Sequence, residues 1–131
     1  MTGALDGVLV ISLEQAVAAP MASRRLADAG ARVIKLERPG GDFARAYDRV
    51  AHGQSSYFVW LNRGKQSATI DLEQPDDRRL FEAMLARADV FIQNLKPGAI
   101  ARLGYPLEEL ARKHPRLILC SISGYGETGP Y

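Results

Sequence analysis

The sequence predicts an α/β fold with a mostly parallel sheet flanked by helices. Three observations carry this. Short apolar runs rich in Val, Ile and Leu alternate with segments of helical periodicity along the chain. The first run shows little polar alternation, as expected of a strand covered on both faces. The first run, the helix after it and the second run span about thirty residues, the usual size of a right-handed βαβ unit with parallel strands.

The elements follow in order. Gly7 precedes the β-branched run Val8-Leu9-Val10-Ile11-Ser12-Leu13, the first strand. Pro20 opens a helix, where its missing N–H costs little. Ala22, Leu26 and Ala29 make its apolar face, and Gly30 can stop it in a left-handed cap. Arg32 to Leu36 is the second strand. Residues 39–63 read as a long loop with one short helical or extended piece. Its aromatics Tyr57, Phe58 and Trp60 suit a core or an interface better than a binding platform. A short strand runs from Ser67 to Leu72. Pro75-Asp76-Asp77 starts a helix with Leu80, Phe81, Met84, Leu85 and Ala88 at helical spacing, aspartates in its first turn and Arg87 in its last. Val90-Phe91-Ile92 is a buried-type strand. Two short helices follow, Gly98 to Leu103 and Leu107 to Lys113, separated by Gly104 and Pro106. Leu117 to Ile122 is the last strand.

Composition narrows the function. Apolar residues at 47% and charged residues at 24% fit an ordered globular chain. A net charge of +2, with Lys and Arg dispersed, gives no footprint for nucleic acid. No apolar stretch approaches the ~20 residues that span a membrane, so no membrane partner is expected. Asp6 and Glu14 interrupt the first apolar run and the first basic residue is Arg24, which is not a secretory pattern. Cys120 is the only cysteine, which excludes an internal disulfide and fits a reducing, cytoplasmic setting. No His, Cys or carboxylate cluster has metal-ligand spacing, and His52 and His114 form no nucleophile–base arrangement.

In parallel sheets, ligands bind outside the carboxyl ends of the strands. That rule selects Glu14 to Pro20, Glu37 to Gly41, Asn94 to Gly98 and Ser123 to Gly126 as pocket walls. Glu37 stands where a dinucleotide-binding domain keeps its ribose carboxylate. The accompanying glycine fingerprint is missing, which favours a solvated or ion-paired strand-end carboxylate. Arg38, beside Gly40-Gly41, can offer a planar cation to a phosphate or an adenine face. Asn94-Leu95-Lys96-Pro97-Gly98 leads into a helix start with Arg102 one turn on, where a dipole and a guanidinium could meet a phosphate. For each arginine a plain solvated role remains the competing reading.

Four blocks in one order resemble class III (family III) CoA-transferases. The first is Leu5-Asp6-Gly7-Val8 with Ala18-Ala19-Pro20 and the run Leu26 to Glu37. The second is Asn62-Arg63-Gly64-Lys65-Gln66-Ser67 with Ile70-Asp71-Leu72. The third is Asp89 to Asn94 with Pro97-Gly98 and Arg102-Leu103-Gly104. The fourth is Pro115 to Ile118, Ser121 to Gly126 and Gly129-Pro130-Tyr131. The family includes formyl-CoA transferase, carnitine CoA-transferase and α-methylacyl-CoA racemase.

The resemblance implies a Rossmann-like domain, with residues 1–131 the N-terminal CoA-binding part of a larger two-domain protein that forms an interlocked homodimer. It implies CoA transfer between an acyl-CoA and a small carboxylic acid, with acyl-CoA as substrate and no covalently bound cofactor. A catalytic aspartate downstream of Tyr131 would attack the thioester, so residues 1–131 alone should be inactive. By position, Gln15, Ala16 and Ala18 should lie near the thioester end. Arg38, Ile70, Leu72, Asn94, Leu95 and Arg102 should line the CoA nucleotide and its phosphates. Gln15 departs from the histidine that several members carry. Asp71, expected within a strand, and Asp89, at the start of one, are placed away from the ligand edge and are not substitutes for the nucleophile. The segments Ser12 to Pro20 and Tyr57 to Arg63 resemble the subgroup acting on itaconate, mesaconate or citramalate. A racemase of the same family and a non-catalytic CoA- or nucleotide-binding module are the alternatives.

Overall fold

In the computed structural model, which describes residues 2–131, five strands form one parallel sheet in the order β3-β2-β1-β4-β5. They are β1 (Leu9–Leu13), β2 (Arg32–Glu37), β3 (Gln66–Thr69), β4 (Val90–Gln93) and β5 (Ile118–Ser121). The helices are α1 (Ala18–Asp28), α2 (Ser56–Asn62), α3 (Pro75–Arg87), α4 (Ala99–Arg102) and α5 (Leu107–Lys113), with a 3-10 turn at Phe43–Ala46. The chain runs outward from β1 to β2 and β3, then returns across the sheet to β4 and β5. The direction of winding therefore reverses between β1 and β4, which is the doubly wound arrangement.

The central strand explains the two-sided core. Side chains alternate across a strand. Ile11 and Leu13 join Leu36, Phe81, Leu85, Phe91, Tyr105 and Leu110 on one face. Val10 joins Ala19, Ala31, Val33 and Ile92 on the other. Phe81 stacks edge-on against Phe91 and Tyr105, at centroid distances of 5.6 and 4.9 Å. The α1 helix ends as its sequence dictates. Gly30 is left-handed at φ 105°, its N–H donates to Ala27 O, and Ala31 N donates to Leu26 O.

Several boundaries differ from the sequence expectation. α1 begins at Ala18, so Pro20 lies inside the first turn, where its N–H would lack an intrahelical partner in any case. Its buried face is Ala19, Pro20 and Ser23, with Leu26 and Ala27 packed beside it, a rotation from the Ala22–Leu26–Ala29 face. β3 stops at Thr69 instead of Leu72. Ile70 N still donates to Glu37 O at 2.8 Å, but Asp71 then turns the chain by donating its N–H to Asp77 and accepting from Glu73 N. Leu80 is exposed, outside the core stripe of α3. The stretch 39–63 holds two helical pieces. Each is set by a local cap: Asp42 accepts from Ala44 N, and Ser55 from Phe58 N.

Candidate functional site

The loop from β1 to α1 is held by buried charge. Glu14 is buried. One of its oxygens accepts from Ser12 and Ser23 hydroxyls at 2.5 and 2.6 Å. The other accepts from Lys65 Nζ at 2.6 Å and lies 3.5 Å from Lys35 Nζ. Lys35 also donates to Asp42 at 2.8 Å. Two lysines and two carboxylates thus form one buried, mutually paired group, the arrangement that makes buried charge tolerable. Burial pushes the Lys65 ammonium down to about 8, against the opposing pull of the Glu14 carboxylate. Lys65 also donates to Pro20 O and Asn62 Oδ1, which ties the residue before β3 to the first turn of α1.

This group fixes the backbone of residues 14–17. Ala16 adopts φ 64°, and its N–H donates to Asp42 Oδ1 at 3.1 Å. Asn94, at the end of β4, brackets the neighbouring residue. Gln15 N donates to Asn94 Oδ1 at 2.9 Å, and Asn94 Nδ2 donates to Gln15 O at 2.8 Å. These two bonds cross between the ends of β1 and β4, at the topological switch point. Gln93 orders the next step, accepting from Leu95 N and donating to Ser121 Oγ.

Two clefts open at this edge. A cleft of about 320 Å³ is lined by Gln15, Ala18, Asn94, Leu95, Lys96 and Ser123, among others. A more apolar one of about 190 Å³ is lined by Leu13, Arg38, Ile70, Asp71, Leu72 and Leu95, among others. Leu95 belongs to both. A small cavity of about 60 Å³ between them touches Gln15, Arg38 and Asp42. Arg38 is solvent-exposed, with its guanidinium 5.8 Å from the Phe43 ring centroid. A flat cation beside an apolar slot can serve an aromatic base or a phosphate.

Glu37 is not available to a ribose. Its carboxylate accepts from Arg45 Nε and Nη2, Ser67 Oγ and Asp42 N at 2.7–2.9 Å. Burial pushes its pKa up, yet the bonds from Arg45, Asp42 and Ser67 prevail and hold it at about 2. It is an ion-paired carboxylate, buried instead of solvated.

Of the residues expected at the site, Gln15, Ala18, Arg38, Ile70, Leu72, Asn94 and Leu95 line these clefts, and Ala16 lies in the loop between them. Ile70 and Leu72 are buried wall residues. The side chain of Asn94 is engaged with the Gln15 backbone. Arg102 lines neither cleft, and its guanidinium folds back over Gly98, 2.9 Å from where a Cβ would stand there. α4 is a single turn, so the dipole expected at its start is weak. Asp71 is a correction: because β3 ends early, it stands on the ligand edge and lines the second cleft. Asp89 keeps its place at the opposite edge, accepting from Leu9 N. The sequence reading missed Lys35, Asp42, Lys65 and Gln93. The available signal was Lys35, a lysine between Ile34 and Leu36 in the second strand. Among the described residues, no group of three or more His, Cys, Asp or Glu could hold a metal ion, and no helix is long and apolar enough to cross a membrane.

A doubly wound sheet with a pinned polar loop, an arginine and paired clefts at its switch point defines an α/β domain built to hold a ligand at its carboxyl edge. Residues 5–131 match the family described as CoA-transferase family III, and the chain belongs to that family. It is 46% identical to acetyl-CoA:oxalate CoA-transferase of Acetobacter aceti over 129 residues, covering 98% of this chain and 33% of that protein. It is 41% identical to succinyl-CoA:mesaconate CoA-transferase of Haloarcula hispanica, covering 95% of this chain and 33% of that protein. The crystal structure of a CaiB/BaiF family protein from Brucella suis superposes with a TM-score of 0.92 at 40% identity, over all of this chain and 36% of that one. The chain thus spans about a third of the length of these relatives.

Proposed function

We propose that the protein carrying this chain transfers coenzyme A from an acyl-CoA thioester to a small dicarboxylic acid, and that residues 1–131 form the CoA-binding part of its large domain. The observation that carries this reading is the convergence of Gln15, Arg38 and Leu95 on adjoining clefts at the switch point, in a member of CoA-transferase family III. Arg38, over the apolar slot of Ile70 and Leu72, receives the nucleotide end, with Arg102 as the outer phosphate contact. Gln15, Ala16 and Ala18 receive the thioester end. Loop 14–17 is held before substrate arrives, which removes reorganisation from the reaction.

The covalent route needs a carboxylate nucleophile. It attacks the thioester carbonyl and expels CoA thiolate, leaving a mixed anhydride. The thiolate then attacks the enzyme acyl carbon, which releases the first acid and leaves an enzyme–CoA thioester. The acceptor carboxylate repeats the two steps in reverse order. Of the two aspartates at the clefts, neither Asp42 nor Asp71 suits this role. Asp42 is buried and occupied by Lys35, Ala16 and Ala44, and Asp71 stands in the nucleotide cleft. The family resemblance implies a nucleophilic aspartate downstream of Tyr131, and we assign the role there. We read the complete protein as a cytoplasmic, interlocked homodimer.

The dicarboxylate class is supported by the relatives named for oxalate and mesaconate, and a branched acid of the mesaconate or itaconate type is favoured by the segment Glu14 to Pro20. The test is the full-length enzyme with acetyl-CoA and succinyl-CoA as donors and a panel of acceptor acids. Preference for a dicarboxylate, highest for a branched one, is expected. A clear preference for formate, carnitine or a long-chain acid would contradict it. Racemisation of a 2-methylacyl-CoA without CoA exchange would make the enzyme an isomerase.

A further inference from the structure

Among the described residues, Ala16 and His52 are the non-glycine positions at positive φ. His52 sits in an exposed turn beside Gly53. Ala16 sits in the site, next to Gln15. A left-handed residue with a Cβ persists where its surroundings over-determine it. The restraint on Ala16 is one carboxylate oxygen: Asp42 Oδ1 accepts from Ala16 N at 3.1 Å and from Ala44 N at 2.9 Å. The other oxygen accepts from Lys35 Nζ at 2.8 Å, and the Asp42 N–H is held by Glu37 at 2.8 Å. Asp42 is 4% exposed and lines neither large cleft, touching only the small cavity of about 60 Å³ between them.

We propose that Asp42 is a positioning residue for the thioester end of the site, holding the Ala16 peptide in the left-handed conformation that aims Gln15 and the first turn of α1 into the cleft. Lys35 makes this possible by pairing the oxygen that Ala16 does not use. Lys35 also lies 3.5 Å from Glu14, so the residues on both sides of Gln15 are pinned to one buried frame. Asn94 brackets the Gln15 peptide itself, and the Gln15 side chain joins none of these bonds. The loop is thereby rigid in its backbone, with one free polar side chain facing the cleft. The geometry stands by itself, and only the kinetic consequence rests on the CoA-transfer reading.

The test uses the full-length protein. Asp42→Ala removes the acceptor of the Ala16 N–H and the partner of Lys35 together. Hydrogen exchange at the Ala16 amide should accelerate and kcat should fall, each by at least about tenfold, the loss of one charged hydrogen bond. Affinity for free CoA should stay within about threefold, because Arg38 and its slot are untouched. Adding Ala16→Gly, which makes positive φ cheap, should recover at least about threefold of kcat. A role confined to stability would give no such recovery. Unchanged exchange at Ala16, or a kcat loss that Ala16→Gly leaves in place, overturns the proposal. Should Asp42→Ala fail to fold, Asp42→Glu keeps the charge for Lys35, displaces the oxygens by one methylene and is read by the same criteria. A wild-type enzyme that transfers CoA to no acid refutes the CoA-transfer reading alone, and exchange at Ala16 still decides the positioning.

Discussion

The buried charges at the head of the sheet act residue by residue, and Glu37 shows how. Its folded pKa of about 2 lies below its ordinary value of 4.5. The folded state keeps this carboxylate ionised while the unfolded chain takes up a proton, so stability is lost as pH falls from about 4.5 toward 2. Glu37→Gln should lower stability near neutral pH by about 1–3 kcal/mol, the lower part of that range if solvent screens the half-exposed Arg45. It should also flatten the acid limb of a thermal-melting series. An acid limb identical to wild type would show that Arg45, Ser67 and Asp42 do not hold the charge. The sequence made Glu37 legible as a strand-end carboxylate but not its partners, since Arg45 and Ser67 come from separate elements. Glu14 and Lys65, 51 residues apart, were invisible for the same reason.

The elements themselves were mostly legible. Apolar runs gave β1, β2, β4 and β5, β3 was legible only as a short strand, and Pro75 with Asp76 and Asp77 gave the start of α3. What failed was short or at an edge. β3 is exposed along most of its length, so no burial pattern marked its end, and α2 at seven residues is below the length at which periodicity speaks. One contact decides how the turn after α4 closes. Arg78 donates to both Leu72 O and Leu103 O, joining the wall of the second cleft to that turn. Gly104 lies beneath it at φ 97°, and a Cβ there would stand 2.6 Å from the guanidinium. Gly104→Ala should therefore cost about 1–3 kcal/mol, from the left-handed backbone and the displaced arginine together. A urea titration of the full-length protein checks this, and an unchanged midpoint would mean that Arg78 swings aside freely.

At the scale of the molecule, the alternation of strands and helices was enough to place the ligand edge, because a parallel sheet aligns all its carboxyl ends. The exact clefts were not legible, since they depend on where β3 stops and on how Asn94 turns back onto Gln15. Residues 1–131 alone leave β5 with an open edge and with Ile118 64% exposed. Expressed alone, this segment should associate in light scattering and show no acyl exchange by mass spectrometry. Turnover comparable to the full-length enzyme would place the nucleophile within it. The central claim, that CoA is held at the carboxyl edge of this sheet, is tested most directly by calorimetry of CoA binding to the full-length protein, wild type against Arg38→Ala and Arg102→Ala. Each substitution removes a charged contact and should weaken binding about ten- to a hundred-fold, whereas undiminished affinity in both variants would contradict the claim.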